Sequence, residues 1–309
     1  MIDSIICGNS TEILKTIPNE YAHAIISDIP YGINHDEWDV LHNNTNSALG
    51  GSSVAQTMGG ALFKRRGKPL NGWSAADKKI PLEYQEWCET WAGEWLRVLK
   101  PGSSCLVFAG RRLAHRCTVA LENAGFTFKD MLAWQKNTAP HRAQRISEIY
   151  KRRGDLKQAE AWDGWRVANL RPVFEPVLWF QKPYKTGGTI ADNVLEYGVG
   201  AWSEQALLMF GNKGLNNPTH SNVLYFPHEK NDRGLHETQK PLKLMECLVS
   251  LTTQKNAVII DPFAGSGTTC LAAFRQNRHY IGIEIDSNYV EVARKRILDD
   301  SAQLKIDGI

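Results

Sequence analysis

The stretch Asn256-Ala257-Val258-Ile259-Ile260-Asp261-Pro262-Phe263-Ala264-Gly265-Ser266-Gly267-Thr268-Thr269 runs from an apolar strand through a loop of small residues into a helix. Gly265 and Gly267 permit positive φ and let the backbone approach a ligand closely. The helix predicted over 268–276 presents free N–H groups at its start. About twenty residues beyond the loop, an apolar strand over 279–283 ends in Glu284, where an acid can accept hydrogen bonds from both hydroxyls of a ribose. These parts in this order form a nucleotide cradle and predict an α/β fold.

Three ligand classes compete for such a cradle. A phosphate-binding loop needs GxxxxGK[ST], and no Lys follows Gly267. A dinucleotide site needs GxGxxG, and Cys270 stands where the third Gly belongs. Asp261, just before the loop, suits a positively charged ligand better than a pyrophosphate. S-adenosylmethionine carries a sulfonium, an amine and an adenosine, and fits best of the three.

Near the start of the chain, Ser27-Asp28-Ile29-Pro30-Tyr31-Gly32 leaves another apolar strand, 22–27. A carboxylate accepts hydrogen bonds, Pro30 stiffens the turn, and Tyr31 offers a flat face with a polar handle. These groups can grip a planar base that carries an exocyclic amine. Alone, an Asp-x-Pro-Tyr at a strand end also reads as an ordinary turn. A strand over 4–7, a short helix over 12–16 capped by Ser10 or Thr11, and the strand over 22–27 predict a parallel sheet with right-handed crossovers.

The 309 residues suffice for one large α/β domain with an insertion, or for two small domains. Hydrophobic and charged fractions of 42% and 22% are those of a globular protein, and a net charge of +3 permits nucleic acid without requiring it. Six Cys, with no CxxC pair and no His/Cys ligand spacing, point to reduced, mostly buried thiols, a cytoplasmic location and no metal site. No run of about 18 apolar residues suggests a membrane span, and no secretion signal is seen.

Residues 35–74 are rich in Asn, Gly and Ser and carry a basic knot at Lys64, Arg65 and Arg66. Such a segment reads either as a mobile lid or DNA-gripping loop, or as a solvated loop. A helix over 82–99, ended by Pro101-Gly102, puts Trp87, Trp91, Trp95 and Val98 at helical spacing, which reads as core. Strands follow over 103–109, 126–135 and 175–181, with a helix over 113–124. From Lys136 to Lys185 there are 11 Lys/Arg against 5 Asp/Glu, interleaved with Trp162, Trp165, Phe174 and Tyr184. Basic plus aromatic composition suits phosphate contact with stacking, and also a solvated helical surface. Arg142, Arg145, Lys151, Arg152 and Arg153 are the candidate DNA contacts here. Residues 186–233 have weak periodicity and read as a loop-rich recognition region.

Three segments together carry a resemblance: the Asp28-Ile29-Pro30-Tyr31 loop; His236-Glu237-Thr238-Gln239-Lys240-Pro241, ahead of a helix over 242–253; and the Asp261–Thr269 loop with Glu284. In this order they resemble the S-adenosylmethionine-dependent, amino-methylating DNA methyltransferases of the permuted β class. The resemblance spans nearly the whole chain except 137–233, where no motif matches. It implies a Rossmann-like methyltransferase fold, circularly permuted, with a mostly parallel seven-stranded sheet and helices on both faces. Residues 1–136 would be the catalytic half, 137–233 a strand-containing basic insertion and target-recognition region, and 234–309 the cofactor-binding half. The first strand would lie beside the one ending in Glu284. The loops after Asp28 and Asp261 would leave neighbouring strands at the carboxyl edge.

By the same resemblance, Asp261, Phe263, Ala264, Gly265, Ser266, Gly267 and Thr268 line S-adenosylmethionine, and Glu284 holds its ribose. Asn9, at a position often Asp, reaches the adenine, and His236, Thr238 and Lys240 lie by the methionine part, with Asp28 close by. The target base of double-stranded DNA is flipped out and stacks on Tyr31. The Asp28 carboxylate and the Ile29 carbonyl accept its amine hydrogens, so that alignment does most of the catalysis. In the family, Asp at the first loop position goes more often with adenine N6 and Ser with cytosine N4, which favours a site-specific adenine-N6 methyltransferase. Cytosine N4, an RNA or protein-glutamine target, and a non-catalytic DNA-binding relative are the alternatives. No Cys is placed as a nucleophile beside the loop that grips the base, which argues against carbon-5 cytosine methylation. Ile29 replaces the first of two prolines usual in the family, which keeps the carbonyl but loosens the loop. The family admits a homodimer and a companion restriction endonuclease.

Overall fold

The structure, a computed structural model, describes residues 2–31, 77–137, 139, 143–167, 169–210, 220–227 and 239–306. Eight strands among them form one sheet. In chain order these are β1 (Ser4–Cys7), β2 (Ala22–Asp28), β3 (Leu99–Phe108), β4 (Thr127–Gln135), β5 (Phe174–Gln181), β6 (Val223–Tyr225), β7 (Val258–Asp261) and β8 (His279–Glu284). Across the sheet the order is β1-β8-β7-β2-β3-β5-β4-β6. Only the two pairings of β5 are antiparallel, so the sheet is mostly parallel as expected. It has one strand more than the seven expected, because Val223–Tyr225 pairs beside β4 within the stretch read as loop.

Side chains alternate across each strand, and two cores result. Ile26 and Ile259 face one core, closed by α8 (Leu242–Thr252), α9 (Thr268–Arg275) and α10 (Ser287–Ile306). Ile25 and Ile260 face the other, closed by α1 (Ser10–Leu14), α2 (Ile80–Val98) and α3 (Ala114–Asn123). Trp91 and Trp95 are buried there, in line with the helical spacing.

Several boundaries differ from the sequence reading, each for a local reason. Asn9 caps α1, its side chain accepting from Thr11 N at 2.9 Å, so neither Ser10 nor Thr11 is the cap. Pro101-Gly102 does not end α2 but lies inside β3, which starts at Leu99. Asn193 packs on Gly102, where an added Cβ would sit 2.1 Å from its amide nitrogen, and donates to Pro101 O at 2.9 Å. The stretch read as loop-rich also holds α6 (Ile190–Tyr197) and α7 (Glu204–Phe210). Thr189 and Asp192 form a capping box on α6, and Gly198 ends it in the left-handed region.

β1 lies beside β8, and β2 beside β7, as the permuted order requires. β4 runs in the direction of β2 and β3. Its carboxyl end therefore shares an edge with the ends of β2 and β7. Between that end of β4 and the start of β5, the described residues 136–137, 139, 143–167 and 169–173 form a basic arm that holds α4 (Ile146–Arg152) and α5 (Leu156–Ala161).

Candidate active site

At the carboxyl edge of β1, β8, β7 and β2 lies a cavity of about 530 Å³, within the range of small-ligand sites. Tyr31 and Phe263, from segments more than two hundred residues apart in sequence, both line it. So do Asn9, Asp28, Ile29, Pro30, Lys240, Asp261, Ala264, Gly265, Ser266, Thr268 and Glu284.

On one wall, the Glu284 carboxylate accepts from Gly265 N at 2.8 Å and from Asp286 N at 2.9 Å. These bonds fix the acid and leave it acceptor capacity for a diol. Asp261 is buried and accepts from Ser27 Oγ at 2.6 Å and Phe263 N at 3.2 Å. Burial raises its pKa to about 6, while the hydrogen bonds from Ser27, Thr269 and Phe263 oppose the shift. The ring of Phe263 packs on Trp87 and Trp91, with centroids 5.7 and 6.1 Å away. Trp87 and Trp91, read as core from their spacing, thus also form the cavity wall. Gly267 serves the wall from behind. Its φ is +76°, and an added Cβ would lie 2.7 Å from Ala293 Cβ of α10. This glycine sets the turn and lets α9 and α10 meet.

On the opposite wall, the Asp28 loop is fastened from below. Ile29 is 1% exposed and belongs to the core under α2, and Tyr84 Oη donates to Pro30 O at 3.1 Å. The loosening expected from Ile29 is therefore countered by burial of its side chain. Tyr31 packs over Gly110, where an added Cβ would come 2.9 Å from Tyr31 Cβ. Its hydroxyl donates towards Asp28 Oδ1 at 3.0 Å and Glu175 Oε2 at 3.3 Å, one proton facing two acceptors. Burial and these two acids hold the phenol far above its ordinary pKa, so it stays neutral.

Lys240 pairs with Asp28 Oδ2 and stands 3.8 Å from Glu175 Oε2; Lys136 pairs with Glu175 Oε1. The ammonium of Lys240 lies over the rings of Phe108 and Tyr31, 5.3 and 5.4 Å from their centroids. Burial pushes the Asp28 carboxyl up, against the pull of Lys240. Burial acts on Glu175 in the same sense, but Lys240 and Lys136 together outweigh it and hold that carboxyl below its usual range. Two acids and two ammoniums thus alternate along one row.

Of the other sequence candidates, His236, Thr238, Lys64, Arg65, Arg66 and Arg142 lie outside the described residues. So does the whole stretch 35–74. Arg145, Lys151, Arg152 and Arg153 are exposed on the arm, together with Trp162 and Trp165. The sequence reading missed Glu175 and Lys136, which reach the site only because β5 inserts between β3 and β4. It also passed over Gln239, which lines the cavity, is 7% exposed, and has neither side-chain atom hydrogen-bonded. Among the described residues no group of His, Cys, Asp and Glu could hold a metal ion, and no helix is long and apolar enough to cross a membrane.

The chain is similar to known proteins. A DNA methylase family model, of the N6/N4 type, matches residues 22–295. The Type II methyltransferase M.HindIII of Haemophilus influenzae is 58% identical over 298 residues, covering 96% of each chain. M.HinfI, also from Haemophilus influenzae, is 25% identical over 96% of this chain and 68% of its own. Among solved structures, the cytosine-N4-specific PvuII DNA methyltransferase shares the fold at TM-score 0.59 and 17% identity, over 94% of this chain and 84% of its own. TTHA0409 of Thermus thermophilus, solved with S-adenosyl-L-methionine, does so at TM-score 0.56 and 18% identity, over 95% and 92%. The protein whose two distant loops meet in this cavity belongs to the N6/N4 family of DNA methylases.

Proposed function

We propose that the protein is a site-specific DNA methyltransferase that uses S-adenosylmethionine and methylates the N6 amine of adenine in a flipped-out base. The observation that carries this reading is the single cavity shared by the Asp28–Tyr31 loop and the Asp261–Glu284 wall. The wall fits the cofactor. Glu284 suits the ribose, Phe263 and Asn9 the adenine, Asp261 the positive charge, and the orphaned amide of Gln239 a polar group of the methionine part. Lys240, which the family resemblance sets beside the methionine part, lines the same cavity and pairs with Asp28.

When bound, S-adenosylmethionine supplies a sulfonium methyl, which an amine nitrogen takes as the S–C bond breaks and a thioether leaves. The chain's own residues orient that nitrogen. Tyr31 stacks on the base, and Asp28 and the Ile29 carbonyl accept the two amine hydrogens. The surplus proton left on the methylated nitrogen is taken at the Asp28 carboxylate, whose burial favours acceptance. Alignment and a fixed negative charge supply the acceleration, with no covalent adduct to the enzyme. Duplex DNA reaches the site under the basic arm, whose exposed Arg145, Lys151, Arg152 and Arg153 contact phosphates.

Incubation with tritiated S-adenosylmethionine and duplex DNA, followed by nucleoside mass spectrometry, tests the assignment. N6-methyladenine is the expected product. N4-methylcytosine would move the target to the other base of the family, and label in RNA or protein only would refute the DNA reading.

A further inference from the structure

Glu175 is a nearly buried acid that the chemistry above does not use. It sits at the root of the arm, two residues into β5, with Lys136 on one oxygen and the Tyr31 hydroxyl at 3.3 Å from the other. That second oxygen also stands 3.8 Å from Lys240 Nζ. We propose that Glu175 is a positioning residue for methyl transfer: it is the alternative seat of the Lys240 ammonium, taking that charge from Asp28 when the target amine docks. The inference rests on the reading of Asp28 as the amine's acceptor.

In the structure both oxygens of Asp28 are engaged, Oδ1 by Tyr31 and Oδ2 by Lys240. An ammonium in contact neutralises the carboxylate and leaves it a poor acceptor for the weakly acidic hydrogens of an amine. Lys240 has a partner within reach on the other side. Closing 3.8 Å to an ordinary ion-pair distance takes a shift of roughly an ångström, well within the freedom of a four-carbon stem. The side chain of Lys240 is only 5% exposed, so it moves between carboxylates and not out to water. The rings of Tyr31, Phe108 and Trp134 flank the ammonium at 5.4, 5.3 and 6.0 Å and keep attracting it along the way. The exchange conserves charge. Glu175, shared with Lys136, gains an ammonium; Asp28 regains its full negative charge; and the Tyr31 proton, which faces both acids, stays with Asp28.

The test is Glu175→Gln in the full-length protein, assayed for methylation of duplex DNA under saturating S-adenosylmethionine across the acid pH range. The groups that face Asp28 are Lys240, Tyr31 and Glu175, with Asp261 on the neighbouring strand and Lys136 behind Glu175. Removing the Glu175 charge fixes Lys240 on Asp28. The expected results are a kcat lower by about tenfold or more, an unchanged cofactor Kd, and an acid limb of kcat moved to lower pH. A kcat within about twofold of wild type, or an acid limb that does not move, overturns the proposal. A second measurement does not need the variant to fold or the enzyme to turn over. In crystals of the wild type with S-adenosylhomocysteine and an adenine-containing duplex, Lys240 Nζ is expected nearer to Glu175 than to Asp28, and the reverse overturns the proposal. A wild type inactive on all DNA would refute the function proposed above, whereas the seat of Lys240 in those crystals would still decide this one.

Discussion

Asp28→Asn is the most informative single change. Asparagine keeps the shape and can still accept from the Tyr31 hydroxyl, now 3.0 Å from Oδ1, but carries no charge. Losing a charged, preorganised acceptor at the reacting group costs about 3 kcal/mol of transition-state stabilisation, or about a hundredfold in kcat. Stability behaves differently. Stripping one partner from a buried ion pair costs about 3–5 kcal/mol when the other is stranded. Here Lys240 is not stranded, because Glu175 Oε2 is 3.8 Å away, and the burial that holds the Asp28 carboxyl above its ordinary pKa no longer opposes a charge. The net cost should be about 2 kcal/mol or less, a Tm shift of a few degrees. Cofactor affinity, read by calorimetry, should be nearly intact, since the Glu284 wall is untouched. Single-turnover methylation and a melting curve measure both quantities. A variant that keeps more than about a tenth of the wild-type rate, or one that loses cofactor binding in step with rate, would refute the role given to Asp28.

Three further changes probe the walls of the cavity. Gly110→Ala places a methyl 2.9 Å from Tyr31 Cβ, so kcat should fall about tenfold while DNA affinity, read by gel shift, stays the same; equal losses in both would argue against Tyr31 as the stacking group. Gln239→Met replaces an orphaned buried amide with an apolar side chain of similar volume and should stabilise the ligand-free protein by about 1 kcal/mol in chemical denaturation. The same change should raise the cofactor Kd about tenfold, and an unchanged Kd would mean that this amide meets no ligand. Asp261, with its pKa raised from 3.8 to about 6, contributes stability below pH 4 that is lost as pH rises through 6, about 3 kcal/mol in all. Asp261→Asn should flatten that part of the stability–pH curve, and wild-type affinity for the cationic cofactor should rise over the same interval; a curve of unchanged slope in the variant would contradict the assignment.

The parts that were legible in the sequence are those with local signals. Apolar runs ending in Asp28, Asp261 and Glu284 gave the three strands that bear the site, and the order of the loops gave the permuted pairing of β1 with β8. Trp91 and Trp95 were placed in the core by spacing alone, but spacing could not show that Phe263 would fold against them and make part of that stripe a wall. Asn9 was read as a ligand contact without its second duty as the cap of α1, since polar caps and polar ligands look alike in a sequence. The short helix α6 could have been found from Thr189, Asp192 and Gly198, which form a recognisable start and stop. Glu175 and Lys136 could not. One lies just inside the start of a strand, the other just past the end of its antiparallel neighbour, and their approach to Tyr31 depends on a strand insertion that no local pattern announces.

The row of Asp28, Lys240, Glu175 and Lys136 sums to zero formal charge. The row itself therefore casts little field beyond its own walls, and among the described residues the exposed positive charges of Arg145, Lys151, Arg152 and Arg153 lie on the arm. Ionic strength should govern how fast a duplex arrives while scarcely touching what happens once a base is seated. On the function proposed above, such a division of labour would let the exposed residues of the arm vary without disturbing the neutral row around Asp28.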